Sequence, residues 1–250
     1  MSGLKKKSKM PSMRSIKPEK QVFSLEDFEK GLMLAGYITP NSIEEIEERE
    51  ALDRFESEEV VKVKNVYFKR IVLAAEIVSK LHNEPSLGRI KFQKLVYLCE
   101  KAAEMNLDNR YVKQAAGPFD NKFMHSIVKE FEKNKWFTVV REVNNGYTRH
   151  KYLPLDNSEG YKKYYSNYFA GQDESIQFII NLFRKKSTDF TELATTIFAC
   201  FLELKSKQME VTKENLLHLF YDWSEKKKRF TESQVIESFN WLQENNIIAV

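Results

Sequence analysis

The feature that most constrains the fold of this chain is its shortage of turn-forming residues. Only 8 of its 250 residues are glycine, and only 6 are proline. A fold built from many short strands needs many tight turns, and those turns rely on these two residue types. Hydrophobic residues make up 42% of the chain, which is enough for a core. The sequence therefore predicts a mainly α-helical fold.

Hydrophobic residues recur with helical spacing in three segments of the first half of the chain. These segments predict helices over 60–82, 90–105 and 121–133. Two runs rich in aromatic and β-branched residues follow, 136–143 and 147–153, and they flank the turn sequence Asn144-Asn145-Gly146. The prediction is a helical domain with one β-hairpin, in the outline of a winged helix.

After Pro154 the pattern is helical again and predicts a C-terminal helical bundle. Its helices are predicted over 159–169, 175–185, 192–205, 213–223 and 232–245. Candidate N-caps are Ser158, Thr188 or Asp189, Thr212 and Thr231. Residues 247–250 are apolar enough to add a short edge strand.

Charge is distributed unevenly along the chain. The net charge is +4, but residues 1–20 carry +6, residues 24–60 carry −9 and the remainder carries +7. The predicted organisation is a flexible basic leader (1–22), an acidic helical arm (23–58), a helical domain with the β-hairpin (59–155) and a C-terminal helical subdomain (156–250). Segregated charge of this kind indicates contacts with partners more than a substrate cleft.

Sequence motifs for catalysis or metal binding are absent. The chain has no Walker loop, no GxGxxG, no GxSxG and no HExxH. Its four histidines are far apart, without the i+3 or i+4 spacing of zinc ligands. Cys99 lies in an apolar helical stripe, which indicates a buried side chain and not a nucleophile. We expect no enzymatic activity, no cofactor and no metal.

The same sequence predicts a cytoplasmic protein. Its two cysteines have no CxxC spacing, and no apolar segment follows the N-terminal lysines as it would in a signal peptide. The longest apolar run, Ile197–Leu202, is far shorter than the ~20 residues that span a bilayer. We expect no membrane association; the oligomeric state stays open.

The winged-helix outline raises the possibility of nucleic-acid binding. The third helix and the hairpin would present basic side chains to phosphates, namely Lys122, His125, Lys129, Lys133, Arg141, Arg149 and Lys151. Two features oppose this interpretation. Glu130 and Glu132 share the helix, and the segment from Asn106 to Asp120 is long for the turn of that motif. The lysine run 226–228 with Arg229 is interpreted as helix-end charge that complements the helix macrodipole.

The most specific segment runs from Gly88 to Glu100 and contains the pattern K-x-Q-K-L-x-Y-L. It is followed by Ala115-Ala116-Gly117-Pro118-Phe119-Asp120 and by Lys135-Trp136-Phe137. This combination resembles the Panacea domain of bacterial antitoxins. It is also similar to a helical domain at the C-terminal end of some type I restriction–modification specificity subunits and related bacterial defence proteins. The likeness covers residues 60–250.

The resemblance implies a protein–protein interaction module of bacterial defence or toxin control, with no cofactor and no catalytic residues. The residues it would assign to a protein partner, a toxin or a subunit of a defence complex, are Arg89, Lys91, Gln93, Lys94, Tyr97, Gly117 and Pro118. On this interpretation one side of the helix packs while Lys91 and Lys94 offer charge. The alternative is that the segment preserves packing without marking a site. A DNA-binding regulator stays the alternative function.

Overall fold

Eight α-helices and two antiparallel strand pairs make up the described part of the chain, which covers residues 65–105, 107, 110–144 and 147–248 of this computed structural model. The helices are α1 (65–81), α2 (Arg89–Ala102), α3 (Asn121–Lys133), α4 (Lys162–Phe169), α5 (Asp173–Phe183), α6 (Thr188–Ser206), α7 (Lys213–Asp222) and α8 (Glu232–Glu244). The predicted fold, mainly helical with a β-hairpin, is confirmed. The predicted leader and acidic arm lie outside the described residues.

The predicted hairpin is present, with its first strand shifted by one residue toward the C-terminus and its second strand longer by one residue at its C-terminal end. Strand β3 (Phe137–Asn144) pairs with β4 (Tyr147–Pro154), and Arg141 lies directly opposite His150. The segment predicted as a connecting loop contains a second pair, β1 (Val112–Gln114) and β2 (Gly117–Phe119). These strands have three residues each and no alternating apolar pattern, so they could not be predicted from periodicity.

The core is built around α2 and α6, whose apolar residues are not confined to one stripe. Residues 91–100 of α2 are all buried, and so are twelve residues of α6. Helix α2 packs against α5 and α6, and α6 also packs against α7 and α8. A helix that is buried all round belongs in the middle of its domain. Helices from both sides of residue 155 therefore share one core.

Two of the four predicted helix N-caps are observed. Thr212 and Thr231 are N-caps as predicted, and Thr231 forms a capping box with Gln234. For α6 the cap is Ser187, which accepts a hydrogen bond from the Phe190 amide, so Thr188 and Asp189 were wrong. Ser158 was also wrong, because α4 begins at Lys162 without a side-chain cap. Of the edge strand predicted over 247–250, the structure describes residues 247–248, and these two do not form a strand.

Among the helices of the described part, none combines the length and the apolar character needed to cross a lipid bilayer.

Candidate functional site

The helix that carries the K-x-Q-K-L-x-Y-L pattern is enclosed by the rest of the described chain. Lys91 and Lys94 have no exposed surface, and Gln93 and Tyr97 are buried. The expectation that one side of α2 offers charge to the surface is therefore wrong. Both ammonium groups instead contact oxygen atoms of the protein itself, because α5, α6 and β2 cover the helix. Arg89 is half-buried at the start of α2.

Lys91 joins two loops through oxygen atoms that carry no formal charge. Its Nζ donates to Ser86 Oγ at 2.7 Å, to the Arg184 carbonyl at 3.0 Å and to the Lys186 carbonyl at 2.7 Å. The two carbonyls follow the last turn of α5, where unpaired carbonyl groups accumulate. Burial lowers the pKa of Lys91 to about 8. The lysine therefore acts as a C-terminal cap for a neighbouring helix.

Lys94 lies beneath the Gly117-Pro118 turn. Its Nζ donates to the Pro118 carbonyl at 2.8 Å. Gly117 has φ +105°, and a Cβ there would lie 2.8 Å from Thr196 Oγ1 and 3.3 Å from Lys94 Nζ. Only glycine fits this close approach. Burial, and then the charge of Lys227, lower the pKa of Lys94 to about 7.

A third buried lysine, Lys227, lies near Lys94 but comes from close to the C-terminal end of the described residues. Its Nζ donates to Glu192 Oε1 and to Thr196 Oγ1, both at 2.9 Å. Arg229 lies 3.2 Å from the other carboxylate oxygen of Glu192. The sequence interpretation of 226–229 as helix-end charge did not include the burial of Lys227, which has no exposed surface. Its partner lies 35 residues away, so local sequence could not reveal it.

A buried ion cluster that sequence analysis missed joins α1, α2 and the start of α3. Arg70 contacts Glu100 Oε1 through Nε and Asp120 Oδ2 through Nη1, both at 2.7 Å. Its guanidinium also lies 3.9 Å from the centre of the Phe123 ring. Glu100 in turn accepts a hydrogen bond from the Tyr111 hydroxyl at 2.6 Å. Every charge in the cluster is paired, which is typical of a structural network.

The residues assigned to a protein partner are thus brought together, but mostly inside the protein. Gly117 and Pro118 are buried over Lys94, and the Tyr97 ring packs on Tyr111 with centroids 4.7 Å apart. This arrangement favours the alternative in which the segment preserves packing. Most of its side chains could reach a partner only if the surrounding helices moved.

The basic residues assigned to nucleic acid lie on α3 and on both faces of the hairpin. Lys122, His125, Lys129 and Lys133 form an exposed row along α3. On the hairpin, Arg141 shares a face with Tyr152, whereas Arg149 and Lys151 share the opposite face because strand side chains alternate. Lys151 lies 3.5 Å from Glu142, and Arg149 Nε is buried without a hydrogen-bond partner among the described residues.

A groove of about 500 Å³ lies between α2, α5, α6 and the segment that follows α8. Its apolar lining includes Leu98, Ile179 and Phe198, and the charged residues Lys101 and Glu174 also line it. Phe178, which also lines it, is 47% exposed and is the one aromatic among the exposed large hydrophobic residues of the described part. The sequence analysis did not single out this groove, because its lining comes from four separate elements.

Within the described residues, no group of three histidine, cysteine, aspartate or glutamate side chains could hold a metal ion. Cys99 and Cys200 are buried free thiols. Burial raises the pKa of Cys200 to about 12 and raises that of Cys99 as well. Neither thiol has the exposed, electropositive setting of a reactive cysteine.

Comparison with known proteins adds no family to this description, since no protein-family model matches the chain and no curated protein is significantly similar to it.

Proposed function

We propose that the protein is a non-enzymatic interaction module of a bacterial defence or toxin–antitoxin system, which binds and controls a protein partner in the cytoplasm. The resemblance carried by 88–100 and 115–120 supplies the type of system. The observation that carries the binding role is the groove beside Phe178. A half-exposed phenylalanine at the edge of an apolar groove has the composition of an interface centre, where a few aromatic anchors supply most of the binding energy.

The buried lysines have a supporting role in this proposal. Lys91 ties the end of α5 to the start of α2, and α5 carries Phe178. The groove walls are then held at a fixed separation before a partner arrives, which reduces the entropy lost on binding. The partner would be a toxin or a subunit of a defence complex that inserts an apolar segment into the groove.

The test is purification of the tagged full chain from its native host, with and without nuclease, followed by mass spectrometry. A stoichiometric partner that resists nuclease and is lost on Phe178→Ala supports the proposal. Met209→Ala is the matched control, because Met209 is exposed to a similar degree and does not line the groove. A partner retained equally by both variants would move the interface elsewhere. Absence of any nuclease-resistant partner would contradict the function itself.

A second candidate function is nucleic-acid binding, favoured by the exposed row on α3. Lys122, His125, Lys129 and Lys133 lie opposite the buried face formed by Phe123, Met124, Ile127 and Phe131. Helical spacing keeps the row within one face, so that several charges can meet one phosphate backbone. Glu130 reduces the charge only near the end of the row, where it lies 3.8 Å from Lys133.

This candidate is tested by duplex binding over a range of salt concentrations. Binding should weaken with salt, and the double substitution Lys129→Ala and Lys133→Ala should reduce the magnitude of the slope of log K against log salt by ~1.8. An unchanged slope would exclude α3 as the contact surface.

A further inference from the structure

The start of α2 meets the hairpin at one aromatic contact. The rings of Phe92 and Tyr152 have centroids 4.9 Å apart, and both side chains are buried. Arg89 precedes Phe92 by three residues, which places it on the same helix face one turn earlier. His150 precedes Tyr152 by two residues, which places it on the same face of β4. We call the line of contact between α2 and the hairpin the seam; it runs from the aromatic pair toward Arg89 and His150.

Arg141 completes this group from the neighbouring strand. It lies opposite His150 in the β3–β4 ladder, so the two side chains share the face that carries Tyr152. The charges agree with this geometry, since burial first and then Arg89 and Arg141 lower the pKa of His150. The positive charge of Arg89 also lowers the pKa of the Tyr152 hydroxyl, against the larger rise caused by burial. Two permanent cations and one titratable group thus converge from two elements.

The group has no counter-charge in the described part of the chain. No carboxylate there lies within salt-bridge distance of Arg89, Arg141 or His150. Glu142, the carboxylate nearest in sequence, alternates to the other hairpin face and lies 3.5 Å from Lys151. By contrast, Arg70 and Lys227 are each paired with a carboxylate. Unpaired like charges held together by the fold are the arrangement expected of an anion site.

We propose that Arg89, Arg141 and His150 form a phosphate-binding cluster that grips the backbone of a nucleic acid. The proposal rests on the second candidate function and gives it a different centre, at the seam of α2 and the hairpin. Arginine forks match the geometry of phosphate oxygens. A nucleic acid is favoured over an isolated anion because residues 61–250 carry a net charge of +7, which attracts a polyanion.

The experiment is fluorescence anisotropy of the full chain with a labelled mixed-sequence DNA duplex, a single strand of the same sequence, and inorganic phosphate as competitor. The variants are Arg89→Ala, Arg141→Ala and the double substitution. Each single substitution should reduce the magnitude of the salt slope by ~0.9, and the double one by ~1.8. When salt is raised from about 50 to about 200 mM, the loss of affinity should therefore be smaller by a factor of about 3.5 for each single variant than for the wild type. Lys213→Ala removes an exposed charge on α7 and should leave the slope unchanged.

A second readout does not depend on affinity. Arg141→Ala should raise the pKa of His150, measured by NMR of the histidine rings, because one neighbouring cation is removed. Bound duplex should raise it further, since a phosphate favours the charged imidazolium. A His150 pKa that responds to neither would overturn the cluster.

The remaining outcomes separate the cluster from the function beneath it. Binding that depends on Lys129 and Lys133 but not on Arg89 and Arg141 would overturn the cluster and leave nucleic-acid binding in place. Failure to bind either strand form would overturn both. Binding of inorganic phosphate alone, detected through His150, would assign the cluster to a free anion and overturn the nucleic-acid ligand.

Discussion

The buried ammonium of Lys94 should make the stability of this protein rise with pH near neutrality. Its pKa lies at about 7 in the folded protein, against an ordinary value of 10.5. Between those two values the unfolded chain holds a proton that the folded protein has released. Stability therefore increases as pH rises through this window and falls as pH drops toward 7. The cause is that a charged ammonium in this enclosed position loses its hydration and gains a single described acceptor, the Pro118 carbonyl.

The magnitude follows from the two pKa values. Integrating the proton difference from about pH 7 to about pH 9 gives an increase of ~2 kcal/mol in the free energy of unfolding from Lys94 alone. Replacing Lys94 with methionine keeps the length of the side chain and removes the titration. The difference in stability between the variant and the wild type should therefore shift by that amount over the same range, in favour of the wild type at higher pH.

The assay is urea unfolding followed by circular dichroism at several pH values in this range. Lys213→Met is the control, because it removes an exposed lysine and should give a difference independent of pH. Lys91→Met should give a smaller pH-dependent difference, since the pKa of Lys91 is about 8. A constant difference between Lys94→Met and the wild type would refute the reasoning and would mean that Lys94 stays charged in the folded protein.

Three further perturbations test the packing around these lysines by thermal or urea unfolding. Gly117→Ala should destabilise the protein by ~2 kcal/mol, because the new Cβ meets Thr196 at a positive φ. Gly171→Ala has open space around the new Cβ and should be nearly neutral, so equal effects would contradict this. Glu192→Gln should cost ~3 kcal/mol by leaving Lys227 buried without its counter-charge, and the double variant with Lys227→Met should recover part of that loss. If the double variant loses as much as the sum of the single variants, the pair is not coupled. Ser187→Ala should cost ~1 kcal/mol through loss of the α6 cap, while Thr188→Ala should have a smaller effect, and the reverse order would restore Thr188 as the cap.

How far the sequence predicted this fold depends on the range of the interactions involved. Helix α3 was predicted with its observed ends, since Phe123, Ile127 and Phe131 recur on one face and Lys133 precedes a polar break. The hairpin was predicted for the same reason, from aromatic and β-branched runs around a turn. Patterns that repeat within one element can be interpreted without knowledge of the rest of the chain.

The candidate site depends on contacts that no local pattern contains. Lys91 looks like a surface lysine until residues 184–186, more than 90 positions later, supply its acceptors. The groove beside Phe178 and the cluster of Arg89, Arg141 and His150 likewise combine elements far apart in sequence. The sequence assigned Arg89 to a protein partner and Arg141 to nucleic acid, because the two residues lie more than 50 positions apart. Their shared seam is a property of the tertiary structure.

The long reach of the contacts made by Lys91 and Lys227 has a consequence for how the protein is made. When a ribosome has released only the part up to residue 155, the acceptors of Lys91 at Arg184 and Lys186 do not yet exist. Trp223 and Ser224, whose side chains donate hydrogen bonds to backbone carbonyls of the β1–β2 turn, are also still to be synthesised. The nascent helices would wait with unpaired polar groups and an open core until nearly the whole chain has emerged. A chain cut short before residue 227 should therefore be a substrate for cellular proteases and not a smaller working copy.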